Sequence, residues 1–371
     1  MPEPTGNAAF DAARAGGVTD TFLSFPDVRE AKAKVYDYIR KASLDKETQT
    51  MEMPAGYMFK DIPTYDEIDD PLELVLAEME RFGITRFLTN ITEKDLAKRA
   101  LTDHPDKFWG ILNVDPNTGM EALRQIDKAV ETWGPKLKAV HTWGTALLPQ
   151  VPLDDKKMYP IYAKCAEAGL PIVVYAGVPG PRLPMSAQLP MQLDEVCWFF
   201  PDLKIVTRHG AEPWTELMVK LLLKWPNLYY STSAFAPKHY PKDIIDFANT
   251  RGSDKIIFAG YWAAGLTLDR IFAELPSVPF RDEVPVEVEE RLGLPRGEVL
   301  GVADAEPAER HRERRPRLGD HLEAHVSPPI RTRAPRCRGG TWARRRPSAA
   351  HGAARRRSAR GTGPSESSRR T

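Results

Sequence analysis

Eight short apolar runs recur along the chain, at 18–25, 84–90, 108–114, 137–143, 171–177, 203–209, 228–234 and 255–260. Each is rich in β-branched or aromatic residues and is closed by a polar residue or a glycine. Continuous runs of this length suit parallel strands buried on both faces. Helical stretches separate them. "DPLELVLAEMERFG" (70–83) opens on Asp-Pro and stops at Gly83, cap first and glycine last. Residues 92–104, 155–169 and 213–226 repeat the theme. The alternation predicts an α/β protein, a (β/α)8 TIM barrel. A doubly wound open sheet would carry a glycine-rich first turn, and no GxGxxG follows any of these runs. Segment 45–66 fits neither strand nor helix. Lying between the first and second strands, it is expected as an insertion over the C-terminal mouth, where barrel active sites form.

A net charge of +1 hides a split. Residues 301–371 hold 18 Arg, no Lys and 7 acidic residues, which leaves 34 basic and 44 acidic groups in the first 300. The Arg/Pro/Ala-rich end lacks apolar periodicity and cannot offset the entropy of folding by burial. Two domains are therefore expected: a barrel over 1–295 and a disordered basic tail over 296–371. The tail's composition matches GC-rich DNA read out of frame, so a nucleic-acid partner is not expected. Runs such as "PIVVYAG" and "LMVKLLL" fall far short of the roughly 20 residues that span a membrane. The N-terminus shows no secretory signal, and three scattered cysteines make no disulfide or zinc framework. A cytoplasmic protein without a membrane partner is expected.

Residues at the C-terminal ends of barrel strands line the site. In order these are Phe22 and Ser24, Asn90, Asn113 and Asp115, His141 and Trp143, Tyr175, His209, Ser231 and Ser233, and Tyr261. Asp115 before Pro116 reads as a helix cap, and His104 and His239 read as solvated. His209 and His141 close continuous apolar runs, a position that suits either a packed core histidine or a functional one. A zinc site needs at least three protein ligands. Two strand-end histidines do not make one, and the barrel region holds no HxH or HExxH.

Three runs are more specific: "VPLDDKKMYPIYAKCAEAGLPIVVYAGVPG", "DEVCWFFPDLKIVTRHGAEPW" and "LYYSTSA", followed by "DKIIFAG". They resemble the amidohydrolase-2 family, which includes aminocarboxymuconate-semialdehyde decarboxylase and several aromatic-acid decarboxylases and hydratases. The resemblance covers roughly residues 16–285. It implies an HxH after the first strand, a histidine ending the fifth, another ending the sixth, and an aspartate after the eighth, together holding metal. These positions fall on Phe22 and Ser24, Tyr175, His209 and Tyr261. Only His209 keeps its ligand, and Phe, Ser or neutral Tyr is a poor substitute. No cofactor is expected, a divalent metal such as zinc being the alternative left open.

The resemblance thus implies a hydrolase or decarboxylase acting on a small cyclic or aromatic carboxylic acid, ester or lactone, without the usual metal site. His209 would be the general acid or base, Tyr175 and Tyr261 would donate to an oxyanion, and His141 would orient or protonate the substrate. Phe22, Ser24, Tyr57, Trp143, Trp214 and Ser233 would form the substrate pocket. Arg208 and Lys60 are the nearest cations for a carboxylate, although strand alternation turns Arg208 away from the His209 side chain. The alternative is an inactive barrel that binds a small molecule or pairs with an active paralogue. A homodimer is the assembly the resemblance suggests.

Overall fold

The computed structural model describes residues 8–92 and 95–281. Eight strands form one parallel sheet in chain order: β1 (Val18–Leu23), β2 (Ile84–Asn90), β3 (Phe108–Asn113), β4 (Leu137–His141), β5 (Ile172–Tyr175), β6 (Ile205–Arg208), β7 (Leu228–Ser231) and β8 (Ile256–Ile257). All eight expected runs become strands. Most end a few residues early, because the chain turns into the loops that build the mouth. The ladder closes on itself past β8. The Phe258 carbonyl accepts from the Thr21 N–H at 3.3 Å and from its hydroxyl at 2.7 Å. Ser24 and the 262–263 segment then exchange backbone bonds of 2.9 and 3.0 Å.

Two apolar layers hold the barrel. Inside, Leu88, Trp109, Ile111, Ala139, Val173, Val206 and Ile257 pack as one cluster, since alternate residues of each strand face the axis. Outside, the other strand faces meet helices such as Pro71–Phe82, whose Leu72, Val75, Met79 and Phe82 are all buried. That helix starts where the sequence says. The Asp70 side chain accepts the Leu72 N–H at 2.8 Å, and Gly83 closes the helix in the left-handed region at φ 71°. Helices Met120–Trp133, Leu193–Phe199, Lys242–Ala248 and Leu268–Glu274 complete the alternation. The first three begin without a side-chain cap.

The insertion is more structured than expected. It begins earlier, with helices Arg29–Val35 and Asp37–Ala42. Within 45–66 lies a short helix, Lys46–Thr50, whose first turn Asp45 caps by accepting the Thr48 N–H at 2.8 Å. A 3-10 turn, Gly56–Met58, follows it. The insertion is clasped to the loop after β5. Tyr57 donates to the Gly180 carbonyl at 2.5 Å, and Arg182 pairs with Asp45 and Glu47 at 3.0 and 2.7 Å.

The expected tail at 296–371, and the end of the 1–295 domain, lie outside the described residues. Among the described residues no helix is long and apolar enough to cross a membrane.

Candidate active site

At the C-terminal mouth of the barrel lies a cavity of approximately 1000 Å³, lined by strand ends and by the insertion. It gathers Phe22, Ser24, Tyr57, His141, Trp143, Tyr175, His209 and Tyr261. Two expected residues are not on its wall. Ser233 sits behind it, with its hydroxyl 2.8 Å from His209 Nδ1 and accepting the His209 backbone N–H at 3.2 Å. Trp214 lies at the start of helix Thr215–Lys224 and takes no part in the lining, because the loop after His209 leads it away from the mouth.

The aromatic rings form a connected belt. Tyr175 stacks on Trp143 at 4.7 Å between centroids and meets His209 edge-on at 4.5 Å. His209 meets Tyr261 at 5.0 Å, and Tyr261 contacts Phe22 at 4.7 Å. Offset and edge-on pairs of this kind stiffen a wall beyond their buried area. Gln188, which gave no sequence signal, fixes one end of the belt. It accepts the Trp143 indole N–H at 3.0 Å and donates to the Gly177 carbonyl at 2.7 Å. Tyr57 stands exposed at the rim, with its hydroxyl committed to Gly180.

Arg208 requires a correction. Alternation was expected to turn it away from the His209 side chain, yet both residues line the cavity. The reason is local backbone geometry. β6 ends at Arg208, and His209 adopts φ 63°, in the left-handed region, so the period-two rule lapses between them. Arg208 is only 6% exposed. It donates to the Thr21 carbonyl at 2.8 Å and to the Tyr175 hydroxyl, and it lies 5.0 Å over the Phe22 ring. Among the described residues it has no carboxylate ion pair. Lys60, the other expected cation, lines the exposed rim.

Burial and this charge together shape the electrostatics of the mouth. Burial, reinforced by the Arg208 charge, pulls the His209 imidazole down to about 3, although the ring keeps some contact with the open cavity. The same two causes, together with His209, hold His141 well below its usual value. Both imidazoles are therefore neutral at neutral pH. Burial raises the Tyr261 phenol well above the usual range, so it stays protonated and can donate. His141 Nε2 is buried with no hydrogen-bond partner.

The donor set does not fit the metal that the resemblance implies. Phe22 has no donor atom, Ser24 and protonated Tyr261 are weak ligands, and Tyr175 is engaged by Arg208. Among the described residues no group of three or more His, Cys, Asp or Glu is placed to hold an ion.

Solved structures share the fold. A TIM-barrel protein from Bordetella bronchiseptica aligns at 20% identity over 75% of this chain and 99% of its own, with a TM-score of 0.57. 5-Carboxyvanillate decarboxylase from Novosphingobium aromaticivorans, with bound manganese and 3-methoxy-4-hydroxy-5-nitrobenzoic acid, aligns at 16% over 75% and 97%, TM-score 0.52. 2,6-Dihydroxybenzoate decarboxylase from Rhizobium aligns at 15% over 75% and 99%, TM-score 0.51. Curated proteins gave no match. The amidohydrolase family model matches residues 22–263, from the strand-end phenylalanine of β1 to the segment that closes the barrel. With eight parallel strands in chain order and the mouth built on their ends, the chain belongs to the amidohydrolase family.

Proposed function

We propose that this chain is a hydrolase or carboxy-lyase acting on a cyclic or aromatic carboxylic acid, or its ester or lactone, through its own acid–base groups. The observation that carries the proposal is Arg208, a buried guanidinium on an aromatic-walled cavity that is hydrogen-bonded to the Thr21 carbonyl and Tyr175, feels the charge of buried Asp20, and forms no ion pair among the described residues. A buried cation held mainly by neutral groups keeps much of its desolvation cost, and a substrate carboxylate meets it with charge-assisted hydrogen bonds. The two decarboxylases of like fold act on aromatic acids, which agrees with this class.

Binding of an anion changes the neighbouring histidine. The Arg208 charge helps to hold His209 neutral, so a carboxylate beside Arg208 cancels part of that effect and raises the proton affinity of the imidazole. His209 then takes a proton from water or from a substrate hydroxyl. Tyr261 and the Arg208-bound Tyr175 donate to oxygen as charge develops there. No step in this scheme passes through a metal.

The loss of metal donors favours a second reading, a barrel that binds the acid without turning it over. Screening aromatic and cyclic carboxylates, esters and lactones, with and without chelator, separates the two. Turnover that survives chelation and collapses in Arg208→Met supports the enzyme. Binding with no turnover across the panel supports the inactive barrel. Turnover that needs added metal overturns the metal-free chemistry.

A further inference from the structure

The positions that would hold a metal are arranged around a different cation. Tyr175 and Tyr261 meet the His209 ring at 4.5 and 5.0 Å between centroids. Phe22 lies 6.0 Å from His209 and 4.7 Å from Tyr261. The Arg208 guanidinium stands among these four rings. It lies 5.0 Å over Phe22, is hydrogen-bonded to the Tyr175 side chain, and its charge acts on both His209 and Tyr261.

The residues that fail as ligands suit this cation. A phenylalanine face attracts a guanidinium through its ring quadrupole, and a phenol oxygen accepts its N–H. The delocalised, weakly hydrated charge of arginine also makes it the cation best adapted to burial. Phe22 and Tyr175, where the resemblance implies imidazoles, are the two positions that touch the guanidinium. The Thr21 carbonyl, next to Phe22 in the chain, holds it from the same strand. A divalent ion placed among these side chains would meet a fixed positive charge at short range, where burial leaves repulsion poorly screened.

We infer that the Arg208 guanidinium takes the place of the metal ion. A divalent ion held by imidazoles and a carboxylate is replaced by a monocation of the chain itself, held by an aromatic face, a phenol and a backbone carbonyl. The inference does not rest on the carboxylate reading, since it concerns what fills the position and not what binds to it. A guanidinium supplies charge and N–H donors in one plane but has no vacant coordination position. It therefore favours a planar carboxylate over a chelating group.

The test is calorimetric zinc binding to two variants of the full chain. Phe22→His with Tyr175→His supplies, beside His209, the three imidazoles that a zinc site needs. The second variant adds Arg208→Met. Zinc should bind the second at least about 100-fold more tightly than the first, because a fixed like charge has been removed. Equal affinity in the two, or no binding by either, overturns the inference. A wild-type comparison needs no variant to fold. Benzoate should bind at least as tightly as benzohydroxamate, a neutral chelator of similar shape, and added zinc should change neither affinity. Benzohydroxamate binding that strengthens with zinc also overturns the inference. The carboxylate reading fails separately. In that case benzoate binds Arg208→Met as well as it binds the wild type, while the zinc difference between the two variants stands.

Discussion

His209 donates nothing to a metal cage yet sits at the centre of the aromatic belt, held by Ser233 and edged by Tyr175 and Tyr261. If it moves the proton, His209→Ala should lower turnover by roughly 10²–10⁴-fold. Tyr175→Phe keeps the ring and removes the hydroxyl, so a loss on the order of 10²–10³-fold is expected from an oxyanion donor. Thermal midpoints measured beside turnover distinguish this from a packing role, which would shift stability and leave turnover per folded molecule unchanged. At this scale the sequence was informative where a side chain closes an apolar run, as for His209 and His141. It misled at Arg208, because a one-residue change of backbone region is not written in residue types and period-two counting assumes none. Gln188 was illegible for another reason. Its partners, Trp143 and Gly177, are brought to it only by the folded loop.

At the scale of elements, the barrel closes through a seam rather than through a long eighth strand. Asp20 Oδ1 accepts the Phe22 N–H and the Gly260 N–H, both at 2.9 Å, and so ties β1 to the segment after β8. A Cβ at Gly260 would lie 2.6 Å from Asp20 Oδ2. Gly260→Ala therefore overpacks the seam, with an expected loss of roughly 1–3 kcal/mol, read as a lower urea midpoint at unchanged m-value. The eight strands were legible because most are continuous buried runs, β3 to β6 above all. The uncapped helices and the insertion were less so. The insertion's order comes from the Tyr57–Gly180 and Arg182 clasps across more than a hundred residues of chain, which no local pattern announces.

For the whole molecule, buried titratable groups in the barrel make stability depend on pH. His209, down to about 3, and His141, also lowered, are neutral when folded but take up protons near 6.5 when unfolded. Their contribution is complete above 6.5 and is lost as pH falls below it. Asp20 has the opposite sign. Burial lifts its carboxyl from 3.8 to about 7, so its contribution is complete below 3.8 and is lost as pH rises through about 7. Two groups outweigh one, and stability should fall from near pH 6.5 toward pH 4. Asp20→Asn removes the opposing slope, so the fall with acid should steepen while stability above pH 7 improves. Urea titrations across that range check both slopes. A wild-type midpoint that stays flat from pH 7 to 4 would contradict the assignment of these buried groups.

One consequence follows from the left-handed backbone at residue 209. With φ at 63°, an L side chain there is strained and glycine is not. Ala and Gly both delete the imidazole, yet Gly escapes the strain, so His209→Gly should be more stable than His209→Ala by about 1 kcal/mol, the reverse of the usual order. The same holds for Tyr261, at φ 66°. The imidazole and the phenol therefore stand at a conformational cost, and it falls on two rings that meet edge-on, 5.0 Å between centroids.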